Sequence, residues 1–347
     1  MPRKAVLHCC GAPLALPVRA VIITVMTNWF VFNGDADGLC AAHQLRLAGH
    51  APDHVITGVK RDIALLTRCD ARTGDTVWVA DISLDTNRIA LEALLARGVS
   101  VRWFDHHHAG VIPAHTALHA HIDTSAALCS SLLVDHFVGG RFRAWAVTAA
   151  FGDNLAASAR DAARATDLTG AELDQLAELG TLMNYNAYGE TVADLHVDPA
   201  RLFERIALYD DPRKFLAHDA FANNLRDALA SDLAAARAAP CWHASTAAAA
   251  YELPAAPWAR RVQGVWANEL AAAHPQRAHA LLVHAGAGYS VSVRAPLARP
   301  VGADALCRQF ATGGGRAGAA GINALPADQR ERFLSLFVNA YLHVAPA

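Results

Sequence analysis

Apolar residues change their spacing repeatedly along the chain, and each change marks an element. From Trp29 the run "WFVFN" is apolar almost throughout, as in a strand covered on both faces. The following "LCAAHQLRLAG" has helical spacing, so the pattern predicts a helix from about Ala36 to Ala48, stopped by Gly49. "DHVITGV" reads as a second strand and "DIALLTRC" as a short helix. Beyond Gly74-Asp75, "TVWVA" is rich in β-favouring residues and ends at Asp81. "DTNRIALEALLARG" predicts a helix with Asp85 as N-cap and Gly98 as its stop. "VSVRWF" is a further strand, ending at Asp105, and "DTSAALCSSLLVDHF" a helix opened by Asp123 or Thr124. Strands alternating with helices predict an α/β fold with a mostly parallel sheet flanked by helices.

Residues 155–225 are predominantly helical in pattern, with a break at "YDDPRKFL". An alanine-rich stretch over 226–250 suits a linker or a connecting helix. From 251 the order is a helix around "RVQGVWANELAAAH", strands "AHALLVHA" and "YSVSVRAP", a short helix "GADALCRQFA" and then "TGGGRAGAAG". This predicts a smaller α/β domain after the first, with a cleft between them. The expected division is an N-terminal extension over 1–27, a metal-binding catalytic domain over 28–215, a connecting segment over 216–250 and a substrate-binding domain over 251–345. The extension begins with basic residues and an apolar stretch, as a signal peptide does. Pro13, Pro17 and Arg19 interrupt that stretch, and no small-x-small cleavage site precedes the first strand. A poorly ordered extension, with Met26 as the natural start, is the expectation. No other segment approaches a membrane span.

The 347 residues exceed what one core needs, which supports two domains. With 53% hydrophobic and 18% charged residues, the chain is globular and not disordered. A net charge of −2 excludes a global nucleic-acid footprint and leaves room for a local basic groove. The seven cysteines are odd in number and scattered, without C-x-x-C; they point to reduced thiols in a cytoplasmic protein, not to a disulfide framework or a zinc knuckle.

The candidate chemistry lies where strands end. Asp35 and Asp37, between Gly34 and Gly38, follow the first strand. Asp81 ends "TVWVA", Asp105-His106-His107 ends "VSVRWF", and Asp153 follows the apolar run "FRAWAVTAA". Ligands of open parallel sheets bind at the carboxyl ends of strands. Hard divalent cations such as Mn²⁺ prefer carboxylates with an imidazole or two. Aspartates at i and i+2 can serve two neighbouring metals, and one from another strand can bridge them. Such a pair activates a water and clamps a phosphoryl group. Any one of these aspartates alone would be a cap or turn residue; their ordered coincidence makes the site.

With these motifs the sequence resembles the DHH phosphoesterase family over roughly residues 28–215. Asp35-Ala36-Asp37-Gly38 resembles the first family motif, Asp81 the second, Asp105-His106-His107 the third and Asp153 the fourth. The resemblance implies a phosphoesterase with two Mn²⁺ ions, Mg²⁺ or Co²⁺ being possible substitutes. Asp35 and Asp81 would hold one ion. Asp37, Asp81, His106 and Asp153 would hold the other, with Asp81 bridging. His107 would face the substrate phosphate, and Asp105 would orient an imidazole. Family II pyrophosphatases and nano-RNases carry a His four residues before the first Asp, where this chain has Val31. RecJ-type exonucleases use D-x-D-A-D-G, and Asn33 stands at the leading Asp.

The region from 251 resembles the DHH-associated domain, marked by "GGGRAGAAG" from Gly313 to Gly321. Gly313, Gly314 and Gly315 would let backbone N–H groups approach an anion, aided by a following helix N-terminus. Arg316, where the family usually has His, would clamp a phosphate, with Arg294 as its partner. "NYNAYGE" (184–190) reads as an ordinary loop that could stack a base, Trp103 as core and His43 as a polar-face helix residue. His115, His119 and His121 read as a solvated loop. The expected substrate is a short or single-stranded nucleic acid or a small nucleotide. The alternatives are a polyphosphate or pyrophosphate hydrolase, or a catalytically weak metal- and nucleotide-binding regulatory module. A homodimer is open to the chain, and no membrane partner is expected.

Overall fold

A computed structural model describes residues 26–342. The expected extension over 1–27 lies almost wholly outside them. Strands β1 (Asn28–Phe32), β2 (His54–Ile56), β3 (Thr76–Ala80), β4 (Ser100–Asp105) and β5 (Leu118–Ile122) form a parallel sheet in the order β2-β1-β3-β4-β5. The strand order reverses between β1 and β3, which opens a crevice at their carboxyl ends. Alternate residues face opposite sides: Phe30, Phe32, Trp78 and Phe104 enter one core, and Val31, Val77, Val79, Val101 and Trp103 the other. Helix α1 (Ala36–Leu47) covers the first face; α2 (Leu84–Ala96) covers the second with Leu91, Leu94 and Leu95.

Behind α1 lies a layer of helices: α3 (Ser130–Phe137), α4 (Arg143–Gly152), α5 (Ala156–Ala163), α6 (Gly170–Ala187), α7 (Pro199–Ile206), α8 (Pro212–His218) and α9 (Ala220–Arg237). Several open on caps legible in the sequence. Thr169 and Glu172 form a capping box on α6, and Asp198, Asp211 and Asp219 cap α7, α8 and α9.

The second sheet contains β6 (Cys241–Ala244), β7 (Ala248–Leu253), β8 (Ala278–Ala285), β9 (Gly288–Arg294), β10 (Gly313–Gly315) and β11 (Ala319–Pro326), in the order β10-β11-β9-β8-β7-β6. Only β7 and β8 pair in parallel, joined through helix α10 (Pro257–Ala273). Helices α11 (Ala303–Cys307) and α12 (Arg330–Tyr341) pack Leu306, Phe333 and Phe337 against Leu282 and Val291 on one face. On the other face α10 places Val262 and Trp266 in a core that also holds Leu281 and Val283 of β8, Leu225 and Leu233 of α9, and Leu176 of α6. One core thus runs from the first domain into the second.

Several expectations need correction. The second sheet begins at Cys241, ten residues before the expected boundary at 251; of the two readings of the alanine-rich stretch, its first half is the connecting helix, α9. The helix expected from Asp123 starts at Ser130, and the one assigned Asp85 as its cap starts after Ser83. His119 and His121 lie on β5, not in a loop. His43 is fully buried, its Nε2 2.8 Å from the Tyr209 carbonyl oxygen. Trp103 is core, as expected. Among the described cysteines all are free, and only Cys241 is exposed. No described helix is long and apolar enough to cross a membrane.

Candidate metal centre and groove

β1 delivers the chain to Asn33-Gly34-Asp35, and α1 begins at once. A Cβ on Gly34 would lie 2.0 Å from the Gly58 carbonyl oxygen, and one on Gly38 2.1 Å from that of Asn33, so only glycine fits this tight turn. Asp35 is the N-cap of α1: its Oδ1 accepts from the N–H groups of Asp37 (3.0 Å) and Gly38 (3.1 Å). Its Oδ2 is bonded to the ammonium of Lys60. Asp37 reaches across to α3. Its Oδ2 accepts from Ser130 N–H (2.8 Å) and its Oδ1 from Ser131 N–H (2.7 Å), so it caps a helix 93 residues away. Negative charge is favourable at that terminus.

Asp81 follows β3 on the other side of the strand-order switch. Its φ of 59° is the left-handed region that a side chain rarely adopts. Its Oδ1 accepts from the Ser130 hydroxyl at 3.2 Å. Asp105 ends β4, fully buried, and its Oδ1 accepts from His106 N–H (2.9 Å) and from His107 Nδ1 (2.7 Å). His106 Nδ1 is 3.0 Å from the Leu128 carbonyl oxygen, so Nδ1–H donates there and Nε2 keeps its lone pair. The apolar run before Asp153 is helix α4, and Asp153 is its C-cap.

These segments converge on His106 Nε2. Asp81 Oδ1 lies 3.4 Å from it, Asp153 Oδ2 3.8 Å and Asp37 Oδ2 3.9 Å. Donors sharing one divalent cation at roughly 2.1 Å stand roughly 3.0–4.2 Å apart, and each of these three distances to His106 Nε2 lies in that range. Asp153 Oδ2 is buried with no hydrogen-bond partner, as a ligand atom would be. Donor atoms of Asp81, His106 and His107 also lie within 4.8 Å of one another. Burial, then repulsion from Asp35, Asp37 and Asp153, pushes the Asp81 carboxyl well above its ordinary range. Burial also raises Asp153, opposed by Lys60 and reinforced by Asp37. Burial opposes ionisation of Asp35 too, yet the Lys60 ammonium outweighs it and holds Asp35 below the usual carboxylate range. His107 is lifted in spite of burial by its hydrogen bond to Asp105.

Three cavities meet at Tyr188, whose ring centroid lies 5.6 Å from Lys60 Nζ. The largest, about 380 Å³, is walled by Arg61, Arg260 and Gln263. A second of about 290 Å³ reaches Arg294, Gly314 and Gly315, and a third of about 250 Å³ reaches Asn154, Asn268 and Arg294. Arg294 Nε donates to Asn268 Oδ1 (2.7 Å), and Asn268 Nδ2 donates to Asn154 Oδ1 (2.9 Å), a chain from the second sheet to the residue after Asp153. Burial holds the Arg294 guanidinium below its ordinary value. Arg316, more than half exposed, brings Nη2 to 4.0 Å from Asp153 Oδ2. The glycine run forms edge strand β10 and the hairpin to β11; the helix N-terminus expected after it is absent among the described residues there. Tyr188, expected in an ordinary loop, directly follows α6 and forms the floor of the groove.

Sequence reasoning missed Lys60, Ser130, Ser131 and Asn268. Lys60 lies just beyond β2, at a strand carboxyl end, so the rule that gathered the aspartates could have found it.

No protein-family model and no curated protein matches the chain. Solved structures do. A DHH-domain protein described as a member of a family of ribosomal proteins aligns over 90% of this chain and 86% of its own, with 15% identity and a TM-score of 0.60. RecJ of Thermus thermophilus in complex with Mn²⁺ aligns over 90% of this chain, with 19% identity and a TM-score of 0.60; the match spans 52% of the RecJ chain. A pGpG-specific phosphodiesterase, PggH of Vibrio cholerae, aligns over 90% of this chain and 98% of its own, with 13% identity and a TM-score of 0.51. The fold is that of DHH-domain proteins.

Proposed function

We propose that this chain is a divalent-metal-dependent phosphoesterase that hydrolyses short oligonucleotides or small nucleotides in the groove between its two sheets. The observation that carries this reading is the set of Asp37, Asp81 and Asp153 oxygens within 3.9 Å of His106 Nε2. Those four residues would hold the cation, Mn²⁺ by the donor set. A divalent ion in such a place polarises a phosphoryl oxygen and makes a water nucleophilic near neutral pH.

The chain's own residues supply the rest. Asp105 accepts from His107 Nδ1–H, directs the ring and raises its pKa, so that the half-exposed imidazolium could donate its Nε2–H to a phosphate oxygen. Arg294, held by Asn268, offers a guanidinium to a second phosphate. Tyr188 presents a ring on which a base can stack. These features favour a nucleotide over pyrophosphate, which has no base to stack. PggH, whose fold matches, is named a pGpG-specific phosphodiesterase, and the RecJ structure whose fold matches is described in complex with Mn²⁺, which supports the same class.

The test is product release with Mn²⁺ from 5′-labelled RNA of two to five nucleotides, longer single-stranded DNA, a linear dinucleotide, a 3′,5′-bisphosphate nucleotide and pyrophosphate. Short nucleotides are expected to turn over, with at least a hundredfold loss in His106→Ala and Asp153→Ala. Tight Mn²⁺ binding without turnover of any substrate would overturn the enzymatic reading in favour of a binding module.

A further inference from the structure

The acidic cluster has more carboxylates than one divalent ion needs. Asp35 is not among the carboxylates within 4.0 Å of His106 Nε2 and could have been a ligand to a second ion alongside Asp81. We propose that the Lys60 ammonium permanently fills that second position, so that the centre takes one divalent cation beside a built-in monovalent one.

The geometry around Lys60 is consistent throughout. Its Nζ is bonded to Asp35 Oδ2 and lies 3.9 Å from Asp153 Oδ1, between two carboxylates. The other oxygen of Asp35 is taken by the N–H groups of Asp37 and Gly38, so three of its four acceptor sites are occupied by the chain itself. Val31, four residues before Asp35, is fully buried and has no donor atom. Asn33, where a leading carboxylate would stand in D-x-D-A-D-G, is committed to the lysine. Its Nδ2 donates to the Lys60 carbonyl oxygen at 3.1 Å, and its Oδ1 accepts from Asp35 N–H at 3.2 Å. Lys60 N–H donates to the Ala187 carbonyl oxygen at 2.9 Å, fixing its backbone to the end of α6. Its ammonium also lies 5.6 Å from the Tyr188 ring centroid, in cation–π range at the head of the groove. The positions that could have supplied ligands to a second ion therefore hold a lysine in place.

An ammonium has three donors. With one on Asp35 and one directed toward Asp153, the third is free for a phosphoryl oxygen. This last role rests on the phosphoesterase reading; the stoichiometry does not.

The experiment is Mn²⁺ binding by the full chain, followed by calorimetric titration and by electron paramagnetic resonance. The expected result is one Mn²⁺ per chain with the six-line signal of an isolated ion. Lys60→Ala is expected to take up a second ion, giving two per chain and an exchange-broadened spectrum. Lys60→Gln, which fills the same space without charge, repeats the comparison should the smaller side chain disturb folding, which circular dichroism would register. Two ions in the parent, or one ion in both folded variants, would overturn the proposal. One ion in the parent and two in the variants, without hydrolysis by any of them, would uphold the stoichiometry and sink the phosphoesterase reading instead.

Discussion

Asp37 has a structural task separate from any ion it holds, and the two can be measured apart. Both its oxygens accept buried backbone N–H groups, from Ser130 at 2.8 Å and Ser131 at 2.7 Å, at the start of α3. Hydrogen bonds to an ionised group contribute about 1.5–3 kcal/mol each, so Asp37→Ala forfeits roughly 3–6 kcal/mol. Removing its charge relieves repulsion on Asp81, which returns part of that, leaving a net loss of about 2–4 kcal/mol. For 347 residues the unfolding entropy is about 0.7 kcal/mol per kelvin, so the midpoint should fall by about 3–6 °C. The assay is thermal denaturation in excess EDTA, where metal binding makes no contribution. Asp153→Ala is the control. Its Oδ2 has no partner, so in EDTA it should stay within about 1 kcal/mol of the parent. An Asp37→Ala protein as stable as the parent in EDTA would refute the account of Asp37 as the cap of α3.

Saturation with Mn²⁺ at a hundred times its dissociation constant should add about 2.7 kcal/mol, a rise of about 4 °C by scanning fluorimetry, and Asp153→Ala should abolish the rise. Replacing Tyr188 by Ala should lower kcat/KM for a dinucleotide by roughly 5–150-fold, as expected for about 1–3 kcal/mol of stacking, while Tyr188→Phe stays near the parent in steady-state kinetics. His279 is fully buried with neither ring nitrogen bonded, and burial, helped by Arg277 and His274, pushes it down to about 4. A depressed folded-state pKa means that its stabilising contribution is complete above about 6.5 and is lost as pH falls toward 4, a change of about 3 kcal/mol. His279→Leu should therefore raise the melting temperature at pH 5 more than at pH 7.5; His43, also held at about 4, keeps the remaining slope, and an equal effect at both pH values would count against the assignment.

The first domain was legible because its elements repeat a rule that one sequence can express. Apolar strands run into turns rich in Asp and Gly, and the carboxyl ends of β1, β3 and β4 collect Asp35, Asp37, Asp81, Asp105 and His106 at one edge. What stayed hidden depends on distant partners. Ser130 opens α3 because a side chain from α1 caps it, so the local candidates Asp123 and Thr124 misled. "LHAHI" alternates with histidine and reads as loop, yet pairing with β4 makes it an edge strand. "AAAYEL" lacks β-branched residues and begins inside the alanine-rich stretch read as a linker or a connecting helix, yet parallel pairing with β8 overrides its weak propensity. Lys60 carries no motif around it; its place beyond the carboxyl end of β2 was the one signal, and the pairing of β2 with β1 brings it beside Asp35.

The core that runs from α6 and α9 through α10 into β8 has a consequence for how the molecule can be altered. The two sheets are not separable modules. A chimera cut near residue 240, made to exchange one substrate preference for another, would strip Val262, Trp266 and Leu281 of their partners Leu176, Leu225 and Leu233. Preference for a new ligand is better sought by substitution along the groove itself, because transplanting the second sheet would leave an apolar scar on both halves.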